Sequence, residues 1–333
     1  MWARSIVRWM EGTRQGRDMV EQPATRRRLL ESSAGTLTTG FGIAEWALLA
    51  SIALIWGSSF LLIDVGLESL QPGVVSLARV ALGASALALL PAARAPVDRS
   101  DLPRIALFGA TGMGIPLLLF PIAQQWVDSS VAGMVNGAMP IMTAAWSALL
   151  LSRLPRARQR WGIIIGFAGV VAICAPGLGG ADGTTLGLVL LVAAVLLYGL
   201  ATNIAVPLQQ RYGTLPVVVR AQLAAVIVVA PFGLAQLGGS TWAWGSALAM
   251  VPLGVLGTGL AYVLMVTLVG RVGAPRGSVA IYFTPVVAIV LGVLLRAEQV
   301  HPVAIAGTAL VVGGAWLASR AEQPSRSQAP TPG

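Results

Sequence analysis

The hydrophobic positions of this chain are gathered into long runs separated by short polar stretches. Ten such runs can be marked, at residues 44–64, 73–93, 103–125, 129–151, 160–176, 185–206, 216–236, 246–269, 277–296 and 301–319. A bilayer hydrocarbon core is crossed by about 20 apolar residues in helical form, so each run predicts a membrane-spanning helix. Several are short or interrupted by Gly and Pro, which leaves their ends loose by a few residues. The fold class expected is an all-α membrane protein.

The runs are also punctuated twice in the same way. Sliding the chain along itself by 145 residues lays Gly109, Gly112 and Gly114 on Gly254, Gly257 and Gly259. The same shift puts Pro140 on Pro285, Leu149 and Leu150 on Leu294 and Leu295, and Gly162 and Gly169 on Gly307 and Gly314. Self-similarity over so much of each half marks a duplication. The repeats are placed at 44–176 and 185–319, between a polar leader (1–43) and a polar tail (320–333). Five helices per repeat is an odd number, so the second copy runs opposite to the first. Ten helices in an inverted 5+5 repeat is an architecture of secondary transporters, whose substrate sites lie near the midplane between repeats. One pairing breaks the pattern: Arg153 stands where the second copy has Glu298.

Composition strengthens this picture. Of the 333 residues 56% are hydrophobic and 11% charged, against about 25% charged in soluble domains, and the mean hydropathy is +0.79. Net charge is +9 with every basic residue an arginine. Those arginines mark topology and not nucleic acid. The leader, the tail and the loops 94–104, 152–160, 207–215 and 270–276 hold 19 of the 22, whereas the alternate loops around Glu68, Asp128, Asp182 and Gly238 hold none. Positive charge is retained on the cytoplasmic side, so both termini are expected there, in a multi-pass protein of a bacterial inner membrane. The leader, with seven arginines, reads as a disordered tail or an early start before Met19, with a surface helix through Trp2, Ile6 and Trp9 as the rival. The tail, rich in Ser, Pro and Gln, reads as disordered.

Chemistry-bearing residues are sparse. One cysteine, Cys174, and one histidine, His301, offer neither a metal site nor a nucleophile–base pair, so no cofactor is expected and a membrane-embedded enzyme is disfavoured. Trp56 and Ser59 in the first span, with Tyr198 and Asn203 at the matching depth of the sixth, suit an apolar pocket with a few hydrogen-bonding groups or a small-residue packing seam. Asn136, one turn before Pro140, bonds another helix or reaches a ligand; Tyr282, three residues before Pro285, is read the same way. Tyr262, Gln124, Thr143 and Thr284 follow more weakly. Arg79 lies about six residues into its helix, where a charge costs about 2.5–3.5 kcal/mol at the bilayer centre. It snorkels outward, pairs structurally or meets a substrate carboxylate. Arg220 is expected to snorkel to the cytoplasmic end. Carboxylates fall only at helix ends (Glu45, Asp64, Glu298), which leaves proton antiport without a midplane relay. The glycines 162, 166 and 169, with 307, 313 and 314, read as contact stripes joining the fifth helix to the tenth.

Taken together, Ile55-Trp56-Gly57-Ser58-Ser59-Phe60, Arg79 after Pro72, the two prolines Pro140 and Pro285, and the run Glu298, Gly307, Gly314 resemble the EamA-type ten-helix permeases of the drug/metabolite transporter superfamily. The likeness covers about residues 44–319. The chain departs from it at Arg153, where that family has a glutamate. The resemblance implies export or exchange of amino acids, metabolites or drugs, and leaves a homodimer open. The expected activity is alternating-access transport of a small molecule across the lipid bilayer, with proton-coupled drug efflux as the alternative.

Overall fold

The computed structural model describes residues 42–150, 157–177 and 183–319, with 30, 35 and 36. Arg153, Asp182, nearly all of the leader and the tail lie outside them. Among the described residues regular structure is helical throughout, with no strand. The rods are α1 (Ile43–Leu67) and α2 (Pro72–Ala88); α3, built of Leu102–Gly109, Ala110–Gly114 and Ile115–Ala123; and α4, in two pieces, Ser129–Asn136 and Met139–Leu150. Next come α5 (Ala157–Cys174), α6 (Thr184–Tyr212) and α7 (Thr214–Ala235). α8 joins Trp244–Gly254, Val255–Leu260 and Ala261–Val272; α9 joins Ala274–Gly277, Ser278–Phe283 and Thr284–Arg296; α10 is Pro302–Ser319. Six helices among the described residues are long and apolar enough to cross a membrane, and three further apolar helices are shorter.

Two boundaries differ from expectation. α2 ends at Ala88, because Pro91 bars an α conformation at the residue before it and opens a short 3-10 turn, Pro91–Arg94. α6 continues through Pro207 to Tyr212 and stops at Gly213, whose φ of +77° is open to glycine and strained for other residues.

The breaks in the rods recur at the offset of the sequence repeat. α3 carries a turn of π-helix at Ala110–Gly114 and α8 one at Val255–Leu260. α4 breaks between Asn136 and Met139, and α9 tightens into a 3-10 stretch over Ser278–Phe283. Pro140 and Pro285 do not kink a continuous helix. Each is the second residue of a new helical segment, a first-turn position where the missing N–H costs nothing.

Packing exchanges the halves in the same sense. α1 lies against α8 and α9, and α6 against α3 and α4; α2 pairs with α7, α4 with α9, and α5 with α10. The last pair is the most extensive, and glycine is the reason. A Cβ on Gly169 would stand 2.6 Å from the Gly307 carbonyl oxygen, and one on Gly307 2.7 Å from that of Gly169. One on Gly314 would meet the Gly166 nitrogen at 2.4 Å. This is the small-residue contact by which membrane helices pack backbone to backbone. Gly313 is not part of it, since nothing lies within 4 Å of its Cβ direction.

The two glycines therefore respond differently to one methyl group. Gly169→Ala should cost about 1–3 kcal/mol, lowering the thermal midpoint in detergent by several degrees. Gly313→Ala should stay within about 0.5 kcal/mol of the parent. Thermal unfolding of both variants, followed by circular dichroism, checks the pair.

Candidate functional site

Where α1, α2, α3, α4 and α6 converge, a cavity of about 30 Å³ remains. Its polar edge is formed by Arg79, Asn136, Ser59, Trp56 and Tyr198, and its apolar walls by Phe60, Leu117, Phe120 and Met139. At about 10–15 Å³ per water position, it has room for two or three waters in this conformation.

Arg79 is the charged group there, and it is 3% exposed. Of the three readings open for it, snorkelling does not occur. α2 is hydrogen-bonded to its end and buried against α7 and the π turn of α8, so the side chain turns inward. Its Nε donates to Thr258 Oγ1 at 3.1 Å, and Arg79 borders the cavity. Thr258 is itself held: its hydroxyl donates to the Leu253 carbonyl at 3.1 Å, five residues back in the π turn. Gln222 Nε2 of α7 donates to the Thr258 carbonyl at 2.6 Å. Among the described residues no carboxylate pairs with Arg79. An arginine remains charged in proteins, so the cavity carries one uncompensated positive charge.

The aromatic residues are fixed by carbonyls that helix breaks set free. In α3 the Gly112 carbonyl faces Pro116, which has no N–H to give it, and the Tyr262 hydroxyl donates to it at 2.5 Å. In α8 the N–H of Ala261 turns to Leu256 in the π pattern, which leaves the Gly257 carbonyl to accept from Trp56 Nε1 at 2.9 Å. Gly112 and Gly257 are the same position of the two repeats. Pro121 likewise frees the Leu117 carbonyl, which accepts from Ser76 Oγ at 2.9 Å. Trp56 and Tyr262 then meet edge-on, ring centroids 5.2 Å apart, and Phe120 stacks on Tyr198 at 5.9 Å.

Of the residues singled out in the sequence, Trp56, Ser59, Arg79, Asn136 and Tyr198 border one cavity. Tyr262, Asn203 and Tyr282 do not, nor do the weaker candidates Gln124, Thr143 and Thr284. Tyr262 stands behind Trp56. Asn203, fully buried, donates from Nδ2 to the Thr143 carbonyl at 3.0 Å and the Gly199 carbonyl at 2.9 Å, joining α6 to α4. Tyr282 is buried at the α9 break, away from the cavity. Ser59 donates to the Ile55 carbonyl at 2.8 Å. Gln124 bonds the Phe60 carbonyl at 3.0 Å. Sequence reasoning missed Phe60, Leu117, Phe120, Met139 and the bracing Thr258. The available signal was the pair Pro116 and Pro121, whose missing N–H groups expose backbone beside Leu117 and Phe120.

Beyond the cavity, each end is closed by polar contacts. At the end carrying the arginine-rich loops, Asp101, 1% exposed, accepts from Arg211 and from the Tyr212 hydroxyl, both at 2.5 Å. Glu45 pairs there with Arg271 at 2.7 Å. Arg220 reaches the same end, donating to the Ala93 and Ala95 carbonyls. At the opposite end Arg296 of α9 bridges Asp64 at 2.5 Å and Glu68 at 2.6 Å on α1. Glu298 accepts from the N–H of Ser129 at 3.1 Å and of Ser130 at 2.9 Å, capping the start of α4. Beside it, partial desolvation first, and then the charges of Glu298 and Asp64, raise the Asp128 carboxyl above its ordinary pKa.

Comparison with known proteins agrees with this architecture. A solved crystal structure, 20% identical, superposes with a TM-score of 0.60 over 83% of this chain and 96% of its own. A protein of Streptantibioticus cattleyicolor named "Probable terminal-alkyne amino-acid exporter" is 32% identical across 87% of this chain and 98% of its own length. One of Salmonella typhimurium, "Probable amino-acid metabolite efflux pump", is 23% identical across 80% and 91%. The model of the EamA-like transporter family matches residues 44–175 and again 185–320. With both halves matched, this chain belongs to the EamA-like transporter family, as a multi-pass membrane protein.

Proposed function

We propose that the chain is a secondary transporter of the bacterial inner membrane that exports or exchanges small metabolites or amino acids. In this reading ten helices cross the bilayer as two inverted repeats of five, with both termini cytoplasmic, and alternate access to the central cavity. The observation that carries it is the charged, aromatic-walled cavity holding Arg79 where α1, α2, α3, α4 and α6 meet. The substrate-contacting set proposed is Trp56, Ser59, Arg79, Asn136 and Tyr198, with Tyr262 behind the wall; Asn203 and Tyr282 serve the helix joints. The names of the two relatives support an amino-acid-like cargo.

Closure at both ends supports an occluded intermediate. Residues assigned to the cytoplasmic side by loop charge meet one another (Asp101 with Arg211, Glu45 with Arg271), and those of the outer side do the same (Arg296 with Asp64 and Glu68). The helix halves exchange neighbours pairwise, so opening one end can be the mirror of opening the other. Proton antiport gains no support: Asp64 is engaged by Arg296 and Glu298 by α4, both near an end of the fold.

Transport itself is tested in proteoliposomes loaded with a labelled panel of amino acids and small metabolites. At least one should leave faster than from protein-free vesicles, and a folded protein that moves none sinks the proposal. Orientation is tested in a Cys174→Ser background with an impermeant maleimide added to cells. Gly238→Cys should label directly and Ala95→Cys only after permeabilisation.

The end contacts make a third test. The exposed pairs of Arg296 with Asp64 and Glu68 contribute about 1 kcal/mol at most, about fivefold in a two-state population. Asp101 is buried, and its pair with Arg211 costs more to break. With Ser59→Cys as reporter, Arg296→Gln should raise labelling from outside by up to about fivefold, and Asp101→Asn should lower it. Equal responses would contradict alternating access.

A further inference from the structure

We infer that the central cavity selects a monoanion with an apolar tail over a zwitterion, and that the membrane potential acting on that charge drives export without a coupling ion. This rests on the carrier reading above and concerns what the same site accepts.

The inference follows from charge. Arg79 brings one permanent positive charge into a site that is closed in this conformation. The chain has thirteen acidic residues, and none of those described borders the cavity. Within the helices they stand at the ends, as Glu45 and Asp64 do, already held by Arg271 and Arg296. A bound carboxylate neutralises Arg79. A bound zwitterion also brings an ammonium, one carbon from the carboxylate and so within the same few ångströms of the guanidinium. That leaves a net positive charge buried without a counterion, the arrangement proteins tolerate least. With its hydroxyl proton committed to Ile55, Ser59 can offer an ammonium only a neutral acceptor oxygen, which does not compensate its charge. Trp56, Tyr198, Phe60, Phe120, Leu117 and Met139 bring no negative charge. The Asn136 amide suits an uncharged polar group such as an acylated or oxidised α-position. Ring faces attract cations, but here they stand beside a fixed cation.

The energetic consequence fits a cavity that no carboxylate of the described residues borders. A monoanion leaving the cell moves one negative charge outward, down an inside-negative potential. At 100 mV this alone supports an outside-to-inside ratio of about fifty, so no proton relay is needed.

The test uses the full-length protein and matched probes: N-acetyl-L-phenylalanine and N-acetyl-L-leucine as monoanions, L-phenylalanine and L-leucine as zwitterions, and L-phenylalaninamide as cation. In detergent the monoanions should bind about tenfold or more tightly than the zwitterions, read by thermal stabilisation, and the cation should not bind. Arg79→Gln should abolish the difference; should that variant fail to fold, Arg79→Lys should retain its sign. In proteoliposomes a potassium diffusion potential, interior negative, should accelerate monoanion efflux and leave zwitterion flux unchanged. Zwitterions binding as tightly as monoanions, or monoanion efflux indifferent to potential, would overturn the inference while any measured flux preserved the carrier reading. Arg79-dependent monoanion binding with no flux of any probe would instead overturn the carrier reading, and potential-driven export with it. Absence of anion-dependent stabilisation by either tail overturns the charge assignment itself.

Discussion

The structure depends on one difficult placement: a guanidinium buried in the centre of an apolar bundle. Arg79 is tolerated there because Thr258 accepts from its Nε, and Thr258 is available because α8 opens into a π turn at that level. Gln222 then holds the same turn from α7. Two helices of the second repeat are thus committed to one side chain of the first. Gly83 of α2 completes the fit, since its Cβ would meet the Gly254 carbonyl at 2.9 Å.

The rest of the site extends the same economy. Helix breaks that would waste backbone carbonyls in a bilayer, where water cannot satisfy them, instead anchor Trp56, Tyr262 and Ser76. Aromatic walls are therefore positioned by the backbone of the opposing repeat and not by side-chain crowding alone. Rigidity is concentrated at the cavity and at the glycine-paired α5 and α10. The two ends are held by contacts of more modest strength, as a molecule that must open at either end requires.

Much of this was legible in the sequence, for physical reasons. Apolar runs are read by length, so all the rods were found to within a few residues apart from α6, which continues through Pro207, and α2, which ends early before Pro91. Loop arginines and the glycine–proline register carried the duplication. Arg79, Asn136, Trp56, Ser59 and Tyr198 were found because a polar or aromatic group at mid-depth is expensive to leave without purpose. Apolar liners such as Phe60 and Met139 were not, because in a membrane protein nothing distinguishes an apolar side chain facing a cavity from one facing lipid. Thr258 was hidden for a related reason: its value lies in a π turn that no local pattern announced, and its partner stands 179 residues away.

The paired π turns also constrain how such a chain can vary. A π turn closes i to i+5, where an α-helix closes i to i+4, so each accommodates a residue that a regular helix would not. One residue in a helix corresponds to about 100° of rotation. In α3 the turn separates Ile105 and Phe108, buried in the core, from Leu117 and Phe120, which wall the cavity. Losing one residue between Gly109 and Ile115 would let α3 close as a regular helix with its second half still facing the cavity. Losing one from the regular helix that follows would instead swing the residues beyond it about a quarter-turn away. Each π turn is thus a place where the chain can gain or lose a residue without turning the cavity wall away, at the cost of the carbonyl that the turn frees.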